Sequence, residues 1–265
     1  MDKLIKKRVI KIKKRLRLIV SSLALISLLL ISTFFYFDKA LIFILILGLA
    51  SYFFTYISLI EKIEKIAWIN LFIMPVMLTI SFYMFYFLFP GRWLTRLPFI
   101  LIYGVSIYAV LLCSNIFNVG IEKNLQLYRA AFSINFFYQT LVSFLLFNII
   151  FSLKDYFYVN GFLVGVVGYI LSFQLFWTIK LDKKPEPIIF SFALLVAIVL
   201  GQLAIILSFV PLLSTSISLF LSATFYSLSG IIYNYLDKKL FKETIREYVF
   251  VWVFILIITL LSLGW

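Results

Sequence analysis

The sequence predicts an all-α integral membrane protein, a polytopic bundle of about nine transmembrane helices. Of the 265 residues, 64% are hydrophobic and only 13% are charged, whereas globular domains average about 25% charged residues. The charged residues cluster, and the runs between clusters are long enough for a helix to cross a hydrocarbon core of about 30 Å. These runs are apolar on all sides and do not alternate, which indicates helices and not barrel strands.

The predicted spans follow from the charge-free runs and from the proline residues at their boundaries. Pro98 and Pro187 stand where a helix can begin, because proline in the first helical position loses no hydrogen bond. Residues 188–236 hold 49 positions without a charge, which is too long for one crossing and suits two. The predicted spans are residues 18–37, 40–60, 66–89, 97–119, 130–153, 156–179, 188–210, 212–236 and 248–265.

The distribution of basic residues predicts the orientation, since cytoplasmic loops carry an excess of Lys and Arg. With the N-terminus inside, 20 of the 24 basic residues fall on the cytoplasmic side, and Lys39, Arg92, Arg96 and Lys154 fall outside. The sequence therefore predicts a cytoplasmic N-terminus and a C-terminus outside. Its general character favours the cytoplasmic membrane of a bacterium.

Residues 1–17 contain nine basic residues and one acidic residue. Their apolar residues recur at helical spacing, which predicts a basic amphipathic cytoplasmic segment, followed by a single transmembrane domain, residues 18–265. Contacts with anionic lipid headgroups are expected, each basic residue contributing about 1 kcal/mol. An RNA-binding arm is the alternative. Polybasic runs beside a first span are common in membrane proteins, so no nucleic-acid partner is expected.

The residue types that common catalytic and metal chemistry needs are scarce. The chain has no histidine and a single cysteine, Cys113, which excludes zinc sites built on His or Cys clusters and catalysis by an imidazole of this chain. No ionisable side chain lies in the middle of a predicted span, which disfavours proton relays and intramembrane aspartyl proteolysis. We therefore expect no enzymatic activity, no metal and no cofactor.

The densest group of uncharged polar residues lies at the inner ends of the fourth and fifth spans. Amides in hydrocarbon must find hydrogen-bond partners. If these two helices pair as an antiparallel hairpin, their amides and the loop between them line a polar pocket open to the cytoplasm. The alternative is that these amides form ordinary hydrogen bonds between helices beside a solvated loop, and this interpretation is favoured. The candidate pocket residues are Asn115, Asn118, Glu122, Arg129, Asn135 and Gln139.

A candidate headgroup contact lies in the outer sequence PGRWLTRLP, at Arg92, Trp93 and Arg96. Arginine can bind a phosphate through two parallel hydrogen bonds. Trp and Arg at a membrane interface also anchor a helix in the bilayer, and anchoring is the favoured reading.

Small residues at four-residue spacing predict close helix packing. The sixth span contains a GxxxG pattern, and the stripes of the seventh and eighth spans are expected to face one another. A lined pore is the alternative. The packing residues are Gly161, Gly165 and Gly168, then Ala197 and Gly201, then Ser218 and Ser222.

These features favour a non-catalytic scaffold, assembly factor or subunit that binds lipid or another membrane protein. A transporter or channel for an uncharged or lipid-like substrate is the alternative, and it would need water inside the bundle. An enzyme acting on lipid at the interface would have to use charged loop residues, such as Glu122 with Arg129 or Asp182 with Lys183. No recognised spacing supports such an enzyme.

The charge asymmetry predicts the location of the C-terminal end. A reporter that is active only after export, fused after Trp265, is expected to be active, because nine crossings carry the chain from a cytoplasmic start to the outside. The same reporter inserted after Lys184, in a predicted cytoplasmic connection, is expected to be inactive and serves as the control. A fusion after Trp265 that works only in the cytosol would contradict the odd number of crossings.

Overall fold

A computed structural model describes residues 13–34, 40–59, 68–88, 93–119, 125–181 and 184–262. Within these residues the chain is all-helical, and nine helices are long and apolar enough to cross a membrane. This confirms the predicted fold class. The helices are α1 (Lys14–Ser32), α2 (Ala40–Leu59), α3 (Trp68–Tyr86), α4 (Trp93–Val119), α5 (Leu125–Ser152), α6 (Phe157–Trp177), α7 (Pro187–Leu207), α8 (Ser214–Leu236) and α9 (Lys242–Leu261).

Each helix matches one predicted span, but several begin earlier. The first residues of α4, α5 and α9 are Trp93, Leu125 and Lys242, between four and six residues before the predicted starts. The predicted starts marked the edge of the charge-free run. A helix continues beyond that edge because its backbone hydrogen bonds do not depend on side-chain charge. Pro98 consequently lies inside α4, whereas Pro187 occupies the first turn of α7, as predicted.

Only the last five residues of the N-terminal basic segment, residues 13–17, belong to the described part of the chain. Helix α1 begins at Lys14, so the last basic residues of the predicted segment belong to the first turns of this helix. Residues 1–12 lie outside the described part of the chain. The division into a basic segment, residues 1–17, and a transmembrane domain, residues 18–265, stays a prediction.

The described chain forms two compact units that divide inside α5, between Tyr138 and Gln139. The first unit contains α1 to α4 and the beginning of α5, with Leu181 grouped with it. In this unit α1 packs on α2 and α4, and α3 packs on the same two helices. The second unit contains the rest of α5 and α6 to α9, with α7 packed on α6 and α8, and α9 packed on α8.

Pro75 lies inside α3, and α4 compensates for the hydrogen bond that it removes. Proline has no N–H group, so the carbonyl oxygen four residues earlier, at Leu71, loses its usual helical donor. The hydroxyl of Ser114, on α4, donates to this Leu71 oxygen over 3.2 Å. Helix α3 is therefore continuous through its proline, and the proline creates a specific polar link to α4.

Thr79 forms a second polar link at the centre of the first unit. Its hydroxyl oxygen lies 2.8 Å from the carbonyl oxygen of Pro75, 3.3 Å from Ser51 Oγ of α2 and 3.0 Å from the hydroxyl of Tyr103 on α4. One hydroxyl can donate once and accept twice. The side chains of Ser51, Thr79 and Tyr103 are buried, so this cluster joins α2, α3 and α4 through direct contacts.

In the second unit, the backbones of α6 and α7 touch. A Cβ atom added to Gly201 would lie 3.0 Å from the carbonyl oxygen of Gly161, and one added to Gly165 would lie 3.2 Å from that of Ala197. At Gly168 an added Cβ would meet a Leu200 methyl group at 2.7 Å. Glycine at these positions lets the two helices approach more closely than any side chain would allow.

The expected pairing of the small-residue stripes of α7 and α8 requires correction. Around Ala197 and Gly201, helix α7 faces α6. On α8, the Ser218 hydroxyl oxygen accepts a hydrogen bond from Asn148 of α5 over 3.2 Å, and Ser222 donates to a carbonyl of its own helix. The physical reason is that glycine offers the closest backbone approach, so the α7 stripe packs on the glycine face of α6.

We expect Gly201→Ala to lower the free energy of unfolding by about 1–3 kcal/mol, because the added methyl group meets a backbone carbonyl that cannot move aside. Gly48→Ala is the matched control. A Cβ at Gly48 would meet only Ile80 at 3.7 Å, so higher helix propensity should make this variant neutral or up to about 1 kcal/mol more stable. Unfolding measured in the same detergent checks both. Equal effects of the two substitutions would contradict the close contact at Gly201.

Candidate functional site

Near the C-terminal end of α4, the Asn118 amide caps another helix. Its Nδ2 donates to the carbonyl oxygen of Leu59, the last residue of α2, over 3.0 Å. The last four carbonyls of a helix lack partners within it, and Asn118 is only 3% exposed. This predicted pocket residue therefore makes a buried contact between α4 and α2. The Oδ1 atoms of Asn115 and Asn118 are buried and have no hydrogen-bond partner among the described residues.

The Gln139 amide binds α6 inside the second unit. Its Nε2 donates to Oε1 of Gln174 and, over 3.3 Å, to the carbonyl oxygen of Leu171. Both glutamine side chains are buried. The hydrogen bonds of Asn118 and Gln139 thus lead to different helices, α2 and α6.

The other predicted pocket residues differ in environment. Asn135 is buried, and Arg129 is exposed. An edge contact between the rings of Phe117 and Tyr128, with centroids 5.9 Å apart, joins the end of α4 to the start of α5. Glu122 lies outside the described residues, so the pocket as a whole stays a prediction.

Arg96, near the start of α4, is held by aromatic side chains. Its Nε donates to the hydroxyl of Tyr86 over 2.6 Å, and its guanidinium lies 5.1 Å from the ring centroid of Phe34. Such cation–π contacts contribute about 0.5–2 kcal/mol. Arg96 therefore links α4 to the ends of α3 and α1. Arg92 and the side chain of Trp93 lie outside the described part of the structure, so the headgroup contact stays a prediction.

Several polar contacts were not predicted from the sequence. Besides Ser218, Asn148 lies 3.3 Å from the Thr215 hydroxyl, and the Trp252 indole N–H of α9 donates to Thr224 over 3.0 Å. The Asn160 amide of α6 donates to the Ser208 hydroxyl that follows α7. An amide or an indole N–H inside a span signals that a partner is needed. It does not identify the helix that supplies the partner.

Among the described residues, no three His, Cys, Asp or Glu side chains come together as potential metal ligands. Cys113 is buried in α4. Several described polar side chains of the spans, among them Asn118, Gln139 and Asn148, donate hydrogen bonds to other helices.

The fold and these contacts define a multi-pass membrane protein whose helices are joined by buried polar groups. The sequence pattern of a family described as proteins of unknown function (DUF5656) matches residues 41–262, so the chain belongs to this family. No curated protein and no solved structure matches the chain.

A double-mutant cycle tests the link between α5 and α6. Gln139→Leu and Gln174→Leu are expected to show a coupling energy of about 0.6 kcal/mol, and at most about 1.7 kcal/mol, because each substitution removes one partner of the same hydrogen bond. The control cycle pairs Gln139→Leu with Asn148→Leu. Asn148 binds α8 and lies about 13 Å along α5 from Gln139, so these effects should add. Coupling in the control equal to that of the glutamine pair would refute a direct bond.

Proposed function

We propose that this chain is a non-catalytic component of a membrane: a scaffold, assembly factor or subunit that binds lipid or another membrane protein. The observation that carries this proposal is the use of the buried polar groups. The amide nitrogens of Asn118, Gln139 and Asn148 each donate a hydrogen bond to a neighbouring helix. A path for solutes would instead turn such groups toward water.

The exposed surface of the second unit supports the proposal that it binds a helix of another protein. Helix α9 packs on α8 through Trp252 and through the Tyr248 carbonyl, which accepts a hydrogen bond from Ser227. Thr259 is its buried residue. Large apolar side chains of α9 are exposed, including Phe250 and Leu261. Helix α9 is therefore peripheral in its unit and presents most of its surface to lipid or to another protein.

Beside α9 lies a groove of about 450 Å³, whose walls come from α7, α8 and α9. Its lining is largely apolar, and it also contains Gln202, which is exposed on α7. An amide that faces hydrocarbon is stabilised by a hydrogen bond from a neighbouring helix. We therefore propose that the groove takes a transmembrane helix of another membrane protein, one that carries a polar side chain opposite Gln202.

The remaining parts of the proposal rest on the sequence. The 20 of 24 basic residues that fall on one side support a cytoplasmic N-terminus and an outside C-terminus. The proposal of a bacterial cytoplasmic membrane rests on the general character of the sequence. The basic N-terminal segment supports contacts with anionic headgroups, without a nucleic-acid partner. The lack of histidine and of a recognised catalytic spacing supports a protein that is not an enzyme.

Transport of an uncharged or lipid-like substrate is the second candidate. A specific observation favours it: the amide oxygens of Asn115, Asn118 and Gln139 are buried without a hydrogen-bond partner among the described residues. Water or a solute could bind such oxygens. This function would require a continuous hydrated path.

Photocrosslinking in native membranes tests the partner helix. A photoreactive residue at Ile206, in the groove, is expected to give one discrete protein adduct, and Gln202→Leu should lower its yield about threefold or more. The control is the same probe at Ile198, which is on the same helix and similarly exposed (50% against 60%) but does not line the groove. If the probe at Ile206 formed adducts only with lipid and the protein catalysed solute flux in liposomes, the scaffold proposal would be wrong and the transport proposal would be favoured.

A further inference from the structure

A cavity of about 340 Å³ lies in the second unit where α6 ends, α7 begins and α8 ends. One part of its lining is charged and the rest is apolar. The charged residues are Lys180, Lys238 and Glu186. Its volume falls within the range of small-molecule sites, about 300–1,000 Å³. The cavity therefore has the mixed character that an amphiphile requires.

The charged side of the cavity has an excess of positive charge. Lys180 Nζ lies 2.5 Å from Glu186 Oε1, and both side chains are about half exposed. Lys238 adds a second cation, while its neighbour Lys239 pairs with Asp237. Among the described residues that line the cavity, two lysines stand against one carboxylate, which favours an anion at this position.

The rest of the cavity lining is apolar. Phe176 and Ile189 are buried and form its floor, and Ile188 and Tyr235 are exposed at its edge. All four lie at or next to the ends of membrane-spanning helices. A bound molecule can therefore place a charged group at the lysines and an apolar chain along the isoleucines.

The backbone of α7 also favours an anion. Glu186 is the N-cap residue of α7 and makes no side-chain capping hydrogen bond. Pro187 has no N–H group and the Ile189 N–H donates to the Glu186 carbonyl oxygen, so this 21-residue helix contributes the positive end of its dipole. An alternative explanation for the two lysines is that they interact favourably with the negative dipole ends of α6 and α8. It would not account for the cavity or for its apolar floor.

We propose that this cavity binds the phosphate headgroup of an anionic phospholipid. Lys180 and Lys238 contact the phosphate oxygens, and an acyl chain lies along Ile188 and Tyr235. Basic pockets between transmembrane helices are a known way to recognise anionic lipids. The site uses no residue of the N-terminal basic segment, and it does not depend on whether the protein is a scaffold or a transporter.

The test is lipid binding by the purified full-length chain, measured by native mass spectrometry with phosphatidylglycerol and with phosphatidylcholine of the same acyl chains. We expect selective retention of phosphatidylglycerol. The double variant Lys180→Gln/Lys238→Gln should bind it about 30-fold more weakly, because each lysine near a headgroup contributes about fivefold. The control is Lys184→Gln/Lys242→Gln, which removes the same charge from exposed lysines outside the cavity and should bind like the unaltered chain.

Glu186→Gln separates lipid binding from a structural ion pair. Removing the carboxylate should tighten phosphatidylglycerol binding about fivefold, whereas an ion pair that serves only stability would give no gain. This variant also keeps the proposal testable if the double lysine variant does not fold. Inorganic phosphate at millimolar concentration is the second arm, and it should fail to displace the lipid. Displacement by phosphate, no preference over phosphatidylcholine, or equal losses in the control variant would each overturn the proposal.

Discussion

Hydrocarbon supplies no hydrogen bonds, and this constraint governs the whole structure. Each backbone N–H and C=O group must be satisfied within the protein, so a membrane-spanning chain forms helices. The same constraint applies to polar side chains. Short hydroxyl side chains satisfy it locally, as Ser143 and Thr224 do by donating to carbonyls three and four residues earlier. Amides and indoles are longer, and several described ones, such as Gln139 and Trp252, reach neighbouring helices.

The two units meet this constraint by different means. The first unit joins its helices through side chains, above all through Thr79 and through Ser114, which donates to the carbonyl that Pro75 leaves without a helical partner. The second unit adds direct backbone contact, because Gly161 and Gly201 remove the side chains that would separate α6 from α7. Close packing of this kind maximises dispersion contacts where lipid provides no hydrophobic driving force.

Function follows from what these contacts leave available. Inside the described spans, the amide nitrogens of Asn118, Gln139 and Asn148 donate to other helices, so we propose that recognition occurs at helix ends and on peripheral faces. Charge is tolerated at helix ends, where long side chains reach water. The cavity at Lys180 and Lys238 and the groove at Gln202 are of these two kinds.

The number, order and approximate limits of the helices could be predicted from the sequence alone, because span length and absence of charge are properties of consecutive residues. The starts of α4, α5 and α9 were wrong by several residues because charge marks the edge of the lipid and not the end of a helix. The partner of each polar group was decided only by tertiary structure. Neighbouring spans suggested that α4 and α5 share their amides, yet Asn118 binds α2 and Gln139 binds α6, since hydrogen bonds form between helices that pack together in space.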